Sequence, residues 1–188
     1  MQQNIRQAKA EDAQLVAPLI VQAMGELACD FTGKKSVEHA IPLFESLFKE
    51  TENQYSHDNT MVFEENGNIL GSITTYDGGK LEEYRDKLLN YIEQEYNVVN
   101  LELEDETQAG ELYIDTLSVS PKAQGKGVGT RLIKVAIHKA RVEGYKYIGL
   151  LVEMGNPNAK RLYKRIGFTV VGKKTLGNSQ YEHMQVLL

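Results

Sequence analysis

A glycine-rich loop between a predicted strand and a predicted helix is the feature that most constrains this chain. The run Leu112–Val119 is rich in β-branched and apolar residues, which favours a strand. After the loop, apolar residues recur at helical spacing over Val128–Glu143. The loop itself carries glycines at alternate positions, namely Gly125, Gly127 and Gly129. Glycine lets the main chain approach a ligand closely, and the first N–H groups of a helix lack intrahelical acceptors. The junction therefore predicts an anion site suited to a diphosphate.

Three phosphate-binding patterns compete for this role. A dinucleotide fingerprint requires G-x-G-x-x-G, whereas Gly125–Gly129 is one residue short of it. A P-loop requires a hydroxyl residue after its Gly-Lys pair; the segment Gly167–Lys173 comes close, but Lys174 stands at that position. The third pattern, Q/R-x-x-G-x-G/A, fits Gln124–Gly129 at every defined position.

The segment Gln124–Gly129 resembles the acetyl-CoA-binding signature of the GNAT superfamily of N-acetyltransferases. A downstream group is similar to that family's second signature and consists of Asn156-Pro157-Asn158-Ala159, Leu162-Tyr163 and Ile166-Gly167-Phe168. The close match covers Leu112–Phe168, and the rest of the chain agrees only in the order of its elements. The resemblance implies that acetyl-CoA is a cosubstrate and that its acetyl group passes to a primary amine by direct attack in a ternary complex.

The resemblance also implies where acetyl-CoA binds. In the family, the pantetheine arm lies between two splayed parallel strands and pairs with one of them as an added strand would. Here the main chain of Leu117 and Val119 would pair with the arm, Asn156 would contact it, and the loop would hold the diphosphate. The expected cofactor-binding residues are Leu117, Ser118, Val119, Gln124, Gly125, Lys126, Gly127, Val128, Gly129, Thr130 and Asn156.

Two residues are expected to carry the chemistry. Tyr163 matches the family's usual general acid, which protonates the departing thiolate, and its alternative role is packing beside Phe168. Asp115 is expected to bind or deprotonate the amine, or else to fix neighbouring main chain. Tyr113 and Leu117 are expected on the same strand face as Asp115 because they lie two residues away. Weaker candidates for the amine site are Glu111 and Glu153.

The order of the predicted elements indicates one α/β domain over residues 1–188. Helices alternate with strands in the second half, which implies parallel pairing there, and hairpins add antiparallel strands. The resemblance implies a GNAT-like mixed, mostly antiparallel central sheet with splayed parallel strands and helices on both faces. In the first helix, the stripe expected to face the core is Leu15, Leu19, Ala23 and Leu27.

Residues 78–111 form an insertion relative to compact family members. In those members a short turn joins the second strand of the preceding hairpin to the strand that corresponds to Leu112–Val119. The insertion holds a predicted helix, Leu81–Tyr96, and the run Glu93–Glu111 has seven carboxylates and no Lys or Arg. Long insertions are often functional. One hypothesis is that this segment walls the acceptor site and attracts a cationic amine. The rival hypothesis is a homodimer in which Tyr84, Leu88 and Tyr91 pack on a second subunit.

The net charge, the cysteine and histidine content and the apolar segments limit which partners, metals and locations we expect. The net charge of −5 argues against a nucleic-acid partner. The chain has one cysteine, Cys29, and no apolar segment typical of a signal peptide or a membrane span, so we expect a cytoplasmic protein without a membrane partner. The four histidines form no metal-binding pair, and no metal is expected. The acceptor could be a small molecule or a peptide. A non-catalytic CoA-binding regulatory module and a nucleotide-binding oxidoreductase half-domain remain as alternatives.

Overall fold

The computed structural model describes residues 4–177 and 179–188, which form a seven-stranded sheet flanked by helices. The strands are β1 Ile5–Gln7, β2 Thr60–Glu65, β3 Asn68–Asp77, β4 Glu111–Val119, β5 Tyr147–Glu153, β6 Thr169–Leu176 and β7 Ser179–Leu187. The α-helices are α1 Ala13–Met24, α2 Leu27–Thr32, α3 Ile41–Lys49, α4 Leu81–Tyr96, α5 Val128–Val142 and α6 Pro157–Ile166.

The sheet is mixed and mostly antiparallel, as predicted. Its strand order is β1-β2-β3-β4-β5-β7-β6, and β4 with β5 is its parallel pair. Pairing between these two strands runs from Glu111 opposite Tyr147 to Ile114 opposite Leu150. Both strands continue beyond that point, but no further paired residues join them within the described part of the chain. The two strands therefore splay, and one edge of β4 is left free towards its C-terminal end.

A β-bulge in β4 displaces Asp115 from the regular alternation of the strand. The register between β3 and β4 shifts between Thr74 and Thr75, so that Asp115 has no residue opposite it. An extra residue reverses which side chains face each side of the sheet beyond it. Leu117 consequently packs with the core under α5, whereas Tyr113 belongs to a cluster on the opposite face. The prediction that Leu117 shares the face of Tyr113 and Asp115 is wrong, because the two-residue period is interrupted at the bulge.

Helices cover both faces of the sheet, which confirms the prediction. Neighbouring residues of β2 show the two cores: Val62 packs among residues of α1 to α4, and Phe63 packs among residues of α5. Leu162 and Ile166 of α6 pack against the second core. A fully buried side chain such as Val62 or Phe63 contributes roughly 1.5–3 kcal/mol of hydrophobic stabilisation. The sheet is thus held from both sides while its splayed end stays open.

The first helix turns a different stripe towards the core than predicted. Leu15 is 54% exposed and Ala23 is also exposed, so only Leu19 of the expected helical stripe is buried in α1. The helix ends at Met24, and Leu27 belongs to α2, which the sequence did not indicate. The buried residues of α1 that pack in the first core are smaller or β-branched: Ala13, Val16, Ala17, Ile20 and Val21.

The inserted helix α4 occupies the residues predicted for it and packs within the chain. Leu88 is 1% exposed in the first core, and Tyr91 packs against the same core. Tyr84 is buried in a small cluster with Tyr76 and Tyr113. Tyr84 and Leu88 are thus covered by their own chain, which contradicts the hypothesis that they pack on a second subunit, whereas Tyr91 is half-buried. A homodimer stays a prediction.

The remaining observations concern the last two strands and the length of the helices. The sequence predicts a strand over Phe168–Val171 and, further on, a turn at Gly177-Asn178, but the observed strand β6 extends to Leu176. The turn predicted at Gly177-Asn178 involves Asn178, which lies outside the described residues. None of the helices that the structure describes is long and apolar enough to cross a bilayer. The cytoplasmic location stays a prediction.

Candidate active site

The glycine-rich loop enters α5 through two residues in the left-handed region. The φ angle is 75° at Gly125 and 78° at Gly127, values that L side chains rarely adopt. A Cβ atom built on either residue would meet no atom within 4 Å, so the space in front of the helix is open. Because α5 begins at Val128, the N–H groups of its first turn have no intrahelical acceptors. These amides lie at the positive end of the helix dipole and fit a diphosphate.

Side-chain hydrogen bonds fix this loop to the end of β4. Gln124 Nε2 donates to the carbonyl of Val119 at 3.2 Å, and Gln22 Nε2 of α1 donates to the same carbonyl at 3.1 Å. Gln22 Nε2 also donates to Ser118 Oγ at 2.8 Å. Both lone pairs of the Val119 carbonyl are thus engaged. A ligand that adds as a strand would therefore use the Val119 N–H or the main chain of Leu117.

A cleft of about 610 Å³ extends from the loop along the free edge of β4 to α6. All the predicted cofactor-binding residues line this cleft except Ser118 and Lys126. Ser118 faces α1 and accepts the hydrogen bond from Gln22, and Lys126 is exposed outside the lining. The loop, the start of α5, the free edge of β4 and α6 therefore form one continuous surface.

A second cavity, of about 620 Å³, meets the cleft at the splayed end of the strands. The residues that line both spaces are Leu117, Asn156, Ala159 and Tyr163. Asn156 also caps α6, because its Oδ1 accepts a hydrogen bond from the N–H of Ala159 at 3.1 Å. Tyr163 packs on Phe168 with ring centroids 5.9 Å apart, so it is a packing residue as well as a lining residue. Burial raises the pKa of Tyr163 to about 12, and the phenol keeps its proton at neutral pH.

The second cavity, which we call the acid-lined cavity, has an anionic wall. Four carboxylate residues line it, Glu26, Asp30, Asp115 and Glu153, and its described lining includes no Lys or Arg. Asp115 is half-buried on the bulge, and its Oδ2 is buried without a hydrogen-bond partner among the described residues. Burial, followed by the charge of Glu106, raises the pKa of Asp115 well above its usual value. A raised pKa makes the carboxylate of Asp115 a stronger base than an ordinary aspartate.

Glu106 is one of the insertion carboxylates, with Glu102 and Glu104, that the sequence predicts to attract a cationic amine. Its Oε1 accepts hydrogen bonds from Tyr76 Oη at 2.8 Å and from Gln54 Nε2 at 3.0 Å. Burial raises the pKa of Glu106, although the hydrogen bond from Tyr76 opposes this. The alternation of Leu101 and Leu103 with carboxylates could have indicated that this segment lies along the core. No local signal shows that Glu106 turns inwards.

Of the two weaker candidates for the amine site, only one lies at the acid-lined cavity. Glu153 lines the acid-lined cavity and is exposed. Glu111 is 1% exposed and does not line it. The carboxylate of Glu111 is engaged by the side chains of Thr107, His183 and Gln185. Among the residues that the structure describes, no group of three His, Cys, Asp or Glu side chains is placed to hold a metal ion.

Sequence comparisons agree with this architecture. The profile of the Acetyltransferase (GNAT) family matches residues 21–168. An acetyltransferase of Agrobacterium fabrum is 32% identical over 105 residues, which cover 55% of this chain and 75% of that protein. The mycothiol acetyltransferase of Propionibacterium freudenreichii is 41% identical over 68 residues, or 36% of this chain. That match spans only 21% of the mycothiol enzyme.

Structural comparisons extend the likeness to almost the whole chain. A crystal structure of an acetyltransferase has 28% identity and a TM-score of 0.82, covering 97% of this chain and 98% of that one. The protein yncA of Salmonella typhimurium, whose structure contains its cofactor acetyl-CoA, has the same fold at 20% identity. Its TM-score is 0.58, with 98% of this chain and 92% of that chain covered. By its sequence profile and its fold, this chain belongs to the GNAT family of acetyltransferases.

Proposed function

We propose that this protein transfers an acetyl group from acetyl-CoA to the amine of a cationic acceptor in a ternary complex. One observation carries the proposal: the glycine-loop cleft and the acid-lined cavity meet at Tyr163. An acyl donor in the cleft and an amine in the cavity would reach the same phenol from opposite sides. Neither space would have to be vacated before the other is filled.

The cleft offers acetyl-CoA two kinds of main-chain contact. The open cradle at Gly125 and Gly127 would hold the diphosphate on the first amides of α5. The unpaired edge of β4 would pair with the pantetheine arm through the Leu117 carbonyl and the Val119 N–H, because the Val119 carbonyl is already engaged. The bound cosubstrate supplies the acetyl thioester.

The chemistry requires a proton acceptor for the amine and a proton donor for the thiolate. Asp115 takes a proton from the incoming ammonium, directly or through a water, and leaves a neutral amine. The amine nitrogen then attacks the thioester carbonyl, forming the C–N bond while the C–S bond breaks. Tyr163 donates its proton to the departing thiolate, and the second nitrogen proton returns to the phenolate through solvent. The N–H of Leu117 is the proposed donor to the oxyanion.

The charges around the cavity favour a cationic acceptor. Glu26, Asp30 and Glu153 are exposed carboxylates around a half-buried one, Asp115, and such an arrangement raises the local concentration of cations. Amines that carry a positive charge in solution would therefore be drawn to the place where one of them must lose a proton. This supports small polyamines, aminoglycosides and lysine side chains over neutral or anionic amines.

Thiol release from acetyl-CoA, followed with a thiol-reactive dye against a panel of these amines, tests the proposal. Calorimetry with CoA, NAD and ATP provides the binding control. We expect CoA to bind, NAD and ATP not to compete, and cationic amines to give the fastest release. CoA binding without release for any amine would instead support a non-catalytic CoA-binding module, and NAD binding would contradict both.

A further inference from the structure

A small cavity lies directly beside the acid-lined cavity and is separate from the acetyl-CoA cleft. Its volume is about 60 Å³, which holds a few waters or the end of an alkylammonium chain. It shares Leu27, Asp30, Leu176 and Gly177 with the acid-lined cavity. Among its other lining residues are Gln54 and Tyr55, together with Glu102, Glu104 and Glu106 of the insertion.

A buried acceptor in the wall of this cavity has no donor. Gln54 is 3% exposed, and its Nε2 donates to Glu106 Oε1 at 3.0 Å and to Tyr76 Oη at 3.3 Å. A carboxylate can only accept, so the amide nitrogen has to face Glu106, and this fixes the orientation of the amide. Gln54 Oε1 is then buried without a partner among the described residues. Buried oxygens are normally satisfied, so this one calls for a donor, which a water, an ion or a bound ligand can supply.

The orphan oxygen lies in a strongly anionic environment that continues to Asp115. Burial raises the pKa of both Tyr55 and Tyr76, and the charges of Asp115 and Glu106 raise each further. Both carboxylates therefore act on the same pair of phenols. The nearest cation in the cavity wall is Arg85, whose Nη1 is paired with Asp105 at 2.7 Å and whose Nη2 donates to the carbonyl of Glu104.

We propose that this small cavity is a second ammonium subsite, and that the acceptor is a linear diamine or polyamine. Its reacting amine would lie at Asp115 beside Tyr163, and its distal ammonium would lie between Gln54 Oε1 and the Glu106 carboxylate. An ammonium group offers three N–H donors and no acceptor, which matches an amide oxygen without a donor beside a carboxylate. The acetylated end of this inference rests on the proposed function, whereas the distal subsite does not.

Matched pairs of acceptors isolate the distal ammonium. Putrescine, cadaverine and hexamethylenediamine are each compared with the n-alkylamine in which a methyl group replaces the second ammonium. We expect the best diamine to exceed its monoamine partner in kcat/KM, and in affinity measured by calorimetry with CoA present. The expected ratio is roughly tenfold to a hundredfold, the usual range for a hydrogen bond to a charged group.

Glu106→Gln removes the charge while keeping an oxygen for Tyr76 Oη. In this variant the diamine-to-monoamine ratio, in kcat/KM and in affinity, should fall towards one. Glu95→Gln, at an exposed position of α4, makes the same charge change away from both cavities and should leave the ratio unchanged.

Three outcomes would overturn the subsite. Wild-type protein could show equal affinity for diamine and monoamine, Glu106→Gln could lower both acceptors equally, or Glu95→Gln could change the ratio as much as Glu106→Gln does. Calorimetry keeps this test apart from the proposed function. Diamine binding that depends on Glu106 but yields no acetylation would retain the subsite and reject the transferase activity, and monoamine acetylation without diamine preference would do the reverse.

Discussion

The two sides of the Tyr163 junction are built from different kinds of groups. The acetyl-CoA side consists largely of main chain from one continuous segment, Leu117–Gly129, with α6 closing it. The acceptor side consists of side chains that come from α2, the bulge of β4, β5 and the β6–β7 hairpin. A ligand shared by a whole family can be held by main chain and a local glycine pattern. A particular acceptor has to be recognised by side chains that only the tertiary fold brings together.

The two sides also differ in how their polar atoms are satisfied. On the acetyl-CoA side, Gln22 and Gln124 both donate to the Val119 carbonyl, and Gln22 also donates to Ser118 Oγ. These hydrogen bonds fix the loop. On the acceptor side, Gln54 Oε1 and Asp115 Oδ2 are buried without partners among the described residues. The first arrangement is rigid before any ligand arrives. The second leaves unfilled hydrogen-bonding capacity that an amine, which donates several hydrogen bonds, can use.

Tyr163→Phe should have the largest effect and tests whether the two sides meet where we place them. Loss of the proton donor is expected to lower kcat by roughly a hundredfold to ten-thousandfold. CoA affinity should stay within about twofold by calorimetry, because the ring and its packing on Phe168 are retained. Tyr147→Phe, at the paired start of β5, is the matched control and should leave kcat unchanged. A Tyr163→Phe variant with wild-type kcat would separate the phenol from the chemistry.

Gly127→Val tests the main-chain character of the acetyl-CoA side. A β-branched residue is strained at a φ angle of 78°, and left-handed backbone costs roughly 1–2 kcal/mol for an L residue. If the loop relaxes to escape this strain, CoA affinity should fall about tenfold, the equivalent of 1.4 kcal/mol. Gly155→Ala is the control, because Gly155 has no positive φ angle and a Cβ there meets no atom within 4 Å. Equal CoA affinity in the two variants would contradict a cradle that depends on glycine conformation.

The same division explains how much could be predicted from the sequence. The loop, α4, α5 and the β2–β3 hairpin were predictable because their signals are local: glycine spacing, helical periodicity and the Asn66-Gly67 turn. The separation of β4 from β5 came from the family resemblance alone. The Q/R-x-x-G-x-G/A pattern thus carried most of the information about the acetyl-CoA side.

The acceptor side was less predictable because its determinants are not local. The bulge at Asp115 depends on the pairing of β4 with β3, and it moved Leu117 to the opposite face from the one expected. The hydrogen bonds of Glu106 join residues that are 30 and 52 positions apart in the chain. A run of carboxylates indicates a solvated segment and does not reveal which single member turns inwards.

Glu111→Gln tests the same contrast through protein stability. Glu111 is a buried carboxylate that, unlike Asp115, is fully hydrogen-bonded by neighbouring side chains. Burial raises its pKa, but hydrogen bonds from His183, Thr107 and Gln185 outweigh this and leave the pKa below the usual 4.5. The stabilisation is therefore complete above pH 4.5 and is lost as pH falls through the lowered value. We expect the substitution to cost about 1–3 kcal/mol at neutral pH.

Thermal unfolding followed across the acid range checks this expectation. The melting temperatures of wild type and Glu111→Gln should begin to converge as the pH falls below 4.5 and should meet below the lowered pKa, where the wild-type carboxylate is protonated. Glu143→Gln, a change at an exposed position, should behave as wild type throughout. A constant gap at every pH would mean that packing, and not the charge of Glu111, is responsible.

Asp115→Asn should change stability with a sign opposite to that of Glu111→Gln. Burial and then the charge of Glu106 raise the pKa of Asp115, so ionising this group in the folded protein is unfavourable and stability falls as pH rises above 3.8. The neutral amide removes that cost. The melting temperature of Asp115→Asn should therefore exceed that of wild type at neutral pH, and the two should approach each other at lower pH. For a chain of this length, 1 kcal/mol corresponds to roughly 2–4 °C. Acetyl transfer should fall in the same variant, because the group that receives the amine proton is lost. A destabilised Asp115→Asn protein would show that Oδ2 has an internal partner, and the contrast between a satisfied acetyl-CoA side and an unsatisfied acceptor side would then be wrong.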